Sequence, residues 1–256
     1  MKFKMTLILL TVCMATASVK AQNSNIYFKF DLKPGQRLGT MFMRTIAITG
    51  EEFTSMVSRV SGTGDYLVKK ANADSASFTA TFKVDGHEAS TLDVTISDAG
   101  KAISYSGKKS LNHEGSGLAF NSFLWGRPPL NLKKGDSWIV TLDQEWESGG
   151  PGQQKVTVVF TDPQNHTICL RRDGDSEGFD RGGPKELIIK KAGQPITVQV
   201  IPGKIHWTGY TIFRDGLVVS DELMAVQPLI LKSGDTSYHG EKREYMMLNS
   251  TTAGKI

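Results

Sequence analysis

An acidic segment, Asp173-Gly174-Asp175-Ser176-Glu177-Gly178, is the best metal candidate in the sequence. Side-chain oxygens at alternate positions, followed by a glycine at the sixth, match the start of a calcium-binding loop, where the chain bends sharply around the ion. The twelfth position is Pro184 instead of a bidentate glutamate, so a solvated connector between two strands is the alternative. The calcium candidates are Asp173, Asp175 and Glu177, and no other cofactor is expected.

A second acidic set alternates along one predicted strand. Asp143, Glu145 and Glu147 would project from one face, with Leu142 and Trp146 on the other. Neighbouring carboxylates would lie about 6–7 Å apart, within the range that glycoside hydrolases use. One acid of such a pair must be desolvated to stay protonated, and the surrounding sequence supplies no such environment. A solvated outer face is therefore the alternative to hydrolysis of carbohydrate.

Aromatic and methionine side chains lie close together at three places in the sequence. If a strongly curved sheet leaves its concave face unfilled, such side chains could line a cavity for an apolar ligand. Packing of the hydrophobic core is their other role. This pattern favours an apolar small molecule or lipid as the partner. The three groups are Met41, Phe42 and Met43; Phe120, Phe123 and Trp125; and Trp207, Tyr210 and Phe213.

The N-terminal residues 1–21 have the organisation of an export signal. Lys2 and Lys4 precede an apolar run that is too short to span a bilayer, and Gln22 is the predicted first residue of the mature chain. We therefore expect an exported protein, in the periplasm or outside the cell, with no transmembrane segment after the leader. Removing the leader takes away three lysines and no acid, so the formal net charge falls from +4 to +1. That balance argues against nucleic acid as a partner.

Cysteine is scarce in this chain. Cys13 lies in the leader, which leaves Cys169 as the only cysteine of residues 22–256, so no internal disulfide can form. Cys169 lies in a strand-like stretch, where a buried and unreactive thiol is expected. The sequence does not identify a protein partner.

Short apolar-alternating runs, separated by Gly, Pro, Asn and Asp, extend from Ile26 to Leu248. Runs such as 78–82, 156–160 and 196–200 are rich in β-branched and aromatic residues, and Asp215-Gly216 suits a tight hairpin turn. The sequence predicts a mainly β protein with antiparallel sheets, arranged as a sandwich or a curved half-barrel, with at most one or two short helices.

Two segments are compatible with a helix. Residues 49–60 carry an apolar stripe at helical spacing, but β-branched residues and a turn near Gly50 favour a long hairpin, which we prefer. Residues 118–125, closed by Gly126, are a candidate for a short helix.

A short phrase, Leu-Lys-x-Gly followed by a polar residue, occurs at residues 32–36, 132–136 and 231–235. In each, glycine would supply a positive φ in a tight turn while the lysine stays in solvent before a strand. Two similar halves, 26–117 and 124–256, would produce this spacing. Chance recurrence of a common strand-entry phrase is the alternative.

Three stretches of the second half carry a family resemblance: residues 124–129 (LWGRPP), 132–138 (LKKGDSW) and 206–223 (HWTGYTIFRDGLVVSDEL). They resemble a group of exported bacterial β-rich proteins with no assigned function. The resemblance implies bacterial export and a β-rich fold, and it carries over no functional residue. At the level of fold alone, the run of antiparallel strands is similar to lipid-handling half-barrels of the bacterial periplasm.

The sequence favours a single exported unit, residues 22–256, without a catalytic role, acting as a binding or envelope-associated protein. The leading hypothesis is that it holds an apolar ligand in a β cleft. A carbohydrate-active hydrolase that uses Asp143, Glu145 or Glu147 is the first alternative. A structural or adhesive surface protein is the second.

Overall fold

A computed structural model describes residues 26–72, 75–97, 102–106, 108–110, 118–119, 122–143, 151–177 and 185–251. Strands make up 73% of the structure, and no helix within these ranges reaches seven residues, so the predicted mainly antiparallel β fold is confirmed. The predicted leader lies outside the described residues. In the part of the chain that the structure describes, no helix has the length and apolar character needed to cross a membrane.

The strands are long near both ends of the chain and short in between. A 3-10 helix, Ile26–Phe28, precedes the first strand, and a four-residue helix, α1 (Ser122–Trp125), confirms the predicted short helix. The strands are β1 (Arg37–Gly50), β2 (Phe53–Ala71), β3 (Ser75–Val84), β4 (Ser90–Ser97), β5 (Ala102–Tyr105), β6 (Lys108–Ser110), β7 (Ser137–Leu142), β8 (Gly152–Asp162), β9 (Thr167–Ser176), β10 (Glu186–Lys191), β11 (Gln194–Pro202), β12 (Ile205–Arg214), β13 (Leu217–Ser233) and β14 (Thr236–Ser250).

All fourteen strands belong to one open antiparallel sheet. Its order is β6-β5-β4-β3-β2-β1-β14-β13-β12-β9-β8-β7, so the last strand lies beside the first. The pairing of β1 with β14 runs from Thr40 opposite Ser250 to Thr49 opposite Glu241. The β10–β11 hairpin branches from this path, because β11 pairs with residues 229–232 of β13, beyond the part of β13 that pairs with β12.

Turn chemistry follows the sequence closely. Residues 49–60 form the β1–β2 hairpin with its turn at Glu51 and Glu52, so the preference for strand over helix is confirmed. Asp215 and Gly216, with φ of 51° and 79°, form the tight turn between β12 and β13. A turn with two positive φ angles matches the twist of the flanking strands, which is why Asp-Gly suits it.

Two of the three Leu-Lys-x-Gly phrases form the same turn. In the first, the Gly35 amide donates to the Val68 carbonyl and the Gln36 amide to the Lys33 carbonyl. In the second, the amides of residues 135 and 136 donate to the carbonyls of Val158 and residue 133, respectively. Gly35 and Gly135 have φ of 85° and 93°, as the phrase predicts. The third phrase is the β13–β14 turn, which has a different place in the sheet, so duplication stays a prediction.

The two faces of the sheet differ in what they carry. We call the face that holds the buried clusters the inner face and the opposite one the outer face. Aromatic residues of the N-terminal segment and of α1 cover the second-half cluster, and the β10–β11 hairpin covers a third cluster at the far end of β13. The first-half cluster is centred on Phe78, Tyr66 and Ile96; the second-half cluster on Trp125, Trp207, Phe213 and Leu170; and the hairpin cluster on Ile189, Leu231 and Phe53.

Candidate functional site

The calcium candidates lie mainly in a strand and not in a loop, so the predicted connector starts later than expected. Strand β9 continues to Ser176 because β8 and β12 both pair with it along that stretch. Gly174 permits this pairing, because the ring of Trp207 lies against it and leaves no room for a side chain. Strand β9 is therefore stabilised by hydrogen bonds to two neighbouring strands and by packing of the Trp207 ring against Gly174. These contributions outweigh the loop preference of the acidic, glycine-containing sequence.

Each calcium candidate lies in its own ion pair. Asp173 accepts hydrogen bonds from Arg171 at 2.8 Å and from the Thr208 hydroxyl at 2.9 Å. The Asp175 carboxylate lies 2.8 Å from the His206 ring nitrogen, and the Glu177 carboxylate 2.9 Å from the ammonium nitrogen of residue 204. Among the described residues no three or more metal-ligating side chains come together, and the segment 178–184, which completes the predicted loop, lies outside them.

The strand carboxylates of the hydrolase hypothesis are only partly described. Strand β7 ends at Leu142, and Asp143 follows it as an exposed residue. Glu145 and Glu147 lie outside the described residues. The described residues therefore do not bring a pair of carboxylates together for hydrolysis.

Cys169 lies on the outer face of β9, between the buried residues Ile168 and Leu170. Its side chain is half-buried, and this burial raises the pKa of the thiol. A raised pKa keeps the thiol protonated at neutral pH, which fits the expectation of an unreactive cysteine.

Strand alternation separates the aromatic groups that lie together in sequence. Phe42 faces the inner side of β1, opposite Gly62, whereas Met41 and Met43 face the outer side. Trp207 and Phe213 are fully buried in the second-half cluster, as is Trp125, whereas Tyr210 is exposed on the outer face. The buried rings fill the core and do not line an open cleft. Phe120 lies outside the described residues.

A buried polar network attaches α1 to the sheet. The Arg172 guanidinium, 2% exposed, donates to the Asp221 carboxylate at 2.5 Å, and the Thr211 hydroxyl donates to the same oxygen at 2.6 Å. The indole N–H of Trp125 donates to the Thr211 hydroxyl at 3.3 Å, and the guanidinium lies 5.2 Å from the Trp125 ring centroid. Buried charge is tolerated when it is paired and hydrogen-bonded. Arg172 is paired with Asp221 through Nη2, whereas its buried Nε has no hydrogen-bond partner among the described residues.

Gln154 extends this network along the chain. Its amide donates to the Leu124 carbonyl, and its oxygen accepts the indole N–H of Trp207 at 3.0 Å. The indole N–H of Trp138 donates to the Trp125 carbonyl at 2.5 Å. The three stretches that carry the family resemblance therefore meet at one buried location, where they position residues 122–138 on the sheet.

A second charged group lies where β1 and β14 meet. Glu244, 1% exposed, lies with its carboxylate 2.5 Å from the Arg44 guanidinium and 3.4 Å from the Lys242 ammonium. All three project from the inner face, because their register partners are Met246, Ile46 and Ile48, which alternate on that face. The Arg44 side chain is 40% exposed, so this group reaches solvent through Arg44.

Apolar side chains surround Arg44 on the inner face. We call them the inner strip: Phe42, Ile46, Val60, Met246 and Leu248. Val60 lies directly opposite Arg44 on β2 and is 44% exposed, and the other four are half-buried. Met246 and Leu248 pack against the edge of the second-half cluster. The strip therefore combines accessible apolar surface with one accessible cation.

Sequence reasoning missed the charged residues of both groups. The signal was present in the alternation of β1, where Thr40, Phe42, Arg44, Ile46 and Ile48 share one face. A charge at a position that alternates with apolar residues predicts an inward-facing ion, and β14 shows the same pattern.

Tyr66 makes the inner face sensitive to alkaline pH. Burial raises the pKa of Tyr66 to about 12, and a hydrogen bond with Thr40 acts in the opposite direction. Because the unfolded phenol has a pKa near 10, the contribution of Tyr66 to stability is complete below pH 10 and is lost as the pH rises toward 12. We expect the free energy of unfolding to fall by about 1.4 kcal/mol per pH unit in that window. Urea denaturation from pH 9 to 11.5 should show this slope in wild type and a smaller one in Tyr66→Phe, and parallel curves would contradict it.

Comparisons with known proteins do not place this chain in a family. No family model matches it, and none of the curated proteins compared with it matches. Among solved structures, a conserved protein of unknown function with a hot dog fold from Alicyclobacillus acidocaldarius is 11% identical, over 87% of this chain and 82% of that one. The TM-score is 0.13, and at that value the likeness carries no inference.

Proposed function

We propose that this protein is an exported, non-catalytic binding or envelope-associated protein that holds an apolar ligand against the inner strip. The observation that carries the proposal is the half-exposed apolar surface on the inner face of β1, β2 and β14, between clusters that other elements cover. Export rests on the N-terminal leader of the sequence. The strip takes the place of the aromatic groups that the sequence suggested, since Trp125, Trp207 and Phe213 are buried and only Phe42 of those groups belongs to the strip.

The physical basis is the free energy gained when apolar surface leaves water. Burial of apolar area contributes about 25 cal/mol per Å², and half-exposed side chains on three adjacent strands leave area for a ligand to cover. Apolar patches that remain accessible on a folded protein commonly mark binding sites. A ligand lying on this strip would complete the burial that α1 and the β10–β11 hairpin provide elsewhere on the same face.

A neutral fluorescent probe, N-phenyl-1-naphthylamine, tests the proposal. We expect saturable fluorescence enhancement with the purified protein. Phe42→Ala should weaken binding by about tenfold, the effect of removing an aromatic anchor. Met43→Ala is the matched control, because Met43 is the next residue but faces outward, and it should bind as wild type does. Absence of saturable binding, or an equal loss in both variants, would contradict the proposal.

A further inference from the structure

We propose that the ligand of the inner strip is a long-chain fatty acid, with its carboxylate bound by Arg44 and its acyl chain on the apolar side chains. This inference rests on the proposed function and names the chemical class of ligand. It depends on the combination of one accessible guanidinium with a continuous apolar surface.

The first step concerns the charge at Arg44. Its acidic neighbour, Glu244, is also 3.4 Å from Lys242, so the carboxylate is shared between two cations. The contact with Glu244 uses the Nη2 atom of Arg44, and 40% of the Arg44 side chain remains exposed. A guanidinium has five N–H donors and can bind a carboxylate through two of them at once. Arg44 therefore has N–H donors for a ligand besides the one that contacts Glu244.

The second step concerns what faces Arg44. The side chains directly opposite it are Val60 on β2 and Met246 on β14, and both are apolar. Val60 is followed on the same face by Gly62 and preceded by Ser58, which are uncharged. Apart from Glu244, the described neighbours on these strands therefore offer Arg44 no acidic partner. A carboxylate supplied by a ligand would complete the coordination of this partly desolvated cation.

The third step concerns the remainder of the ligand. Phe42 lies two residues from Arg44 on β1, and Leu248 lies two residues from Met246 on β14. Residues at this spacing are about 7 Å apart on the same face of a strand. Ile46 lies at the same spacing in the other direction. A head group at Arg44 would thus leave an acyl chain on apolar side chains and not in water. The low polarity of that surface also strengthens the ion pair relative to one on an open surface.

The test compares dodecanoic acid with dodecan-1-ol as competitors of N-phenyl-1-naphthylamine, because the two differ only in the head group. Wild type should bind the acid about tenfold or more tightly than the alcohol at pH 8, the range expected for hydrogen bonds to a charged group. Arg44→Met should remove this preference, so that the acid and the alcohol compete with the neutral probe equally well.

A second pair of variants protects the test against misfolding of Arg44→Met. Val60→Glu places a carboxylate opposite Arg44 at an exposed position and should weaken binding of the acid by a larger factor than binding of the alcohol. Val57→Glu, on the outer face of the same strand, is 70% exposed before the change and should behave as wild type. Equal affinity of wild type for acid and alcohol would overturn the fatty acid inference while leaving apolar binding intact. Failure of the neutral probe to bind would overturn both proposals.

Discussion

Asp221→Ala is expected to lower the free energy of unfolding by about 3–5 kcal/mol, because it leaves a buried guanidinium without its acid. Arg172 is 2% exposed and Asp221 is 23% exposed, so the unpaired guanidinium could contact water only where the Asp221 carboxylate stood. The pair Arg171–Asp173 on the same strand is the matched control, since its side chains are 48% and 30% exposed. Asp173→Ala should cost about 1 kcal/mol or less. Urea denaturation followed by circular dichroism measures both.

The double variant Arg172→Met/Asp221→Leu separates charge burial from packing. Replacing both members of a buried ion pair by apolar residues is often neutral or stabilising, so the double variant should be more stable than Asp221→Ala alone. Equal losses in the free energy of unfolding for Asp221→Ala and Asp173→Ala would show that water solvates the Arg172 guanidinium in the native state. That result would contradict the placement of Arg172 in the core.

Trp125→Ala is expected to lower the free energy of unfolding by about 3–5 kcal/mol, the cost of removing a large buried ring. Trp125 is fully buried, packs edge-to-face on Phe213 at 5.2 Å, and lies beneath the Arg172 guanidinium. Removal of the Trp125 side chain would also weaken the attachment of residues 122–138 to the sheet. Trp125→Phe keeps one aromatic ring but removes the other ring of the indole and the hydrogen bond to Thr211, so it should cost less than Trp125→Ala, about 1–3 kcal/mol. A loss in Trp125→Ala no larger than that in Trp125→Phe would contradict the central packing role.

Local features of the fold could be predicted because local chemistry determines them. Asp215-Gly216 and Gly35 adopt the positive φ angles that their turns require, and the hairpin at residues 49–60 follows from its β-branched residues. The order of the strands could not be predicted in this way. The adjacency of β1 and β14 depends on pairs such as Phe42 with Leu248, which no local pattern encodes.

The candidate site was harder to predict, because proximity in sequence misled the grouping of residues. Met41, Phe42 and Met43 are consecutive, yet a strand sends only Phe42 to the inner face. The acidic residues Asp173 and Asp175 have loop-like neighbours, but pairing with two strands keeps them in β9. In the first case strand alternation separates residues that are neighbours in sequence, and in the second case pairing with two strands outweighs the local preference. The alternation of charge with apolar residues in β1 was the signal for Arg44 that sequence reasoning missed.

The pairing of the first strand with the last gives the chain a late folding step. Thr40 can pair with Ser250 only after almost all of the polypeptide has been synthesised. Closing so large a loop has an entropic cost, which arises before the contacts between the two strands compensate for it. Arg44 and Glu244 come from these two strands, so the ionic group forms only when the topology is complete. The proposed ligand binding therefore requires a chain that includes β14, and we expect a chain truncated before β14 to lack it.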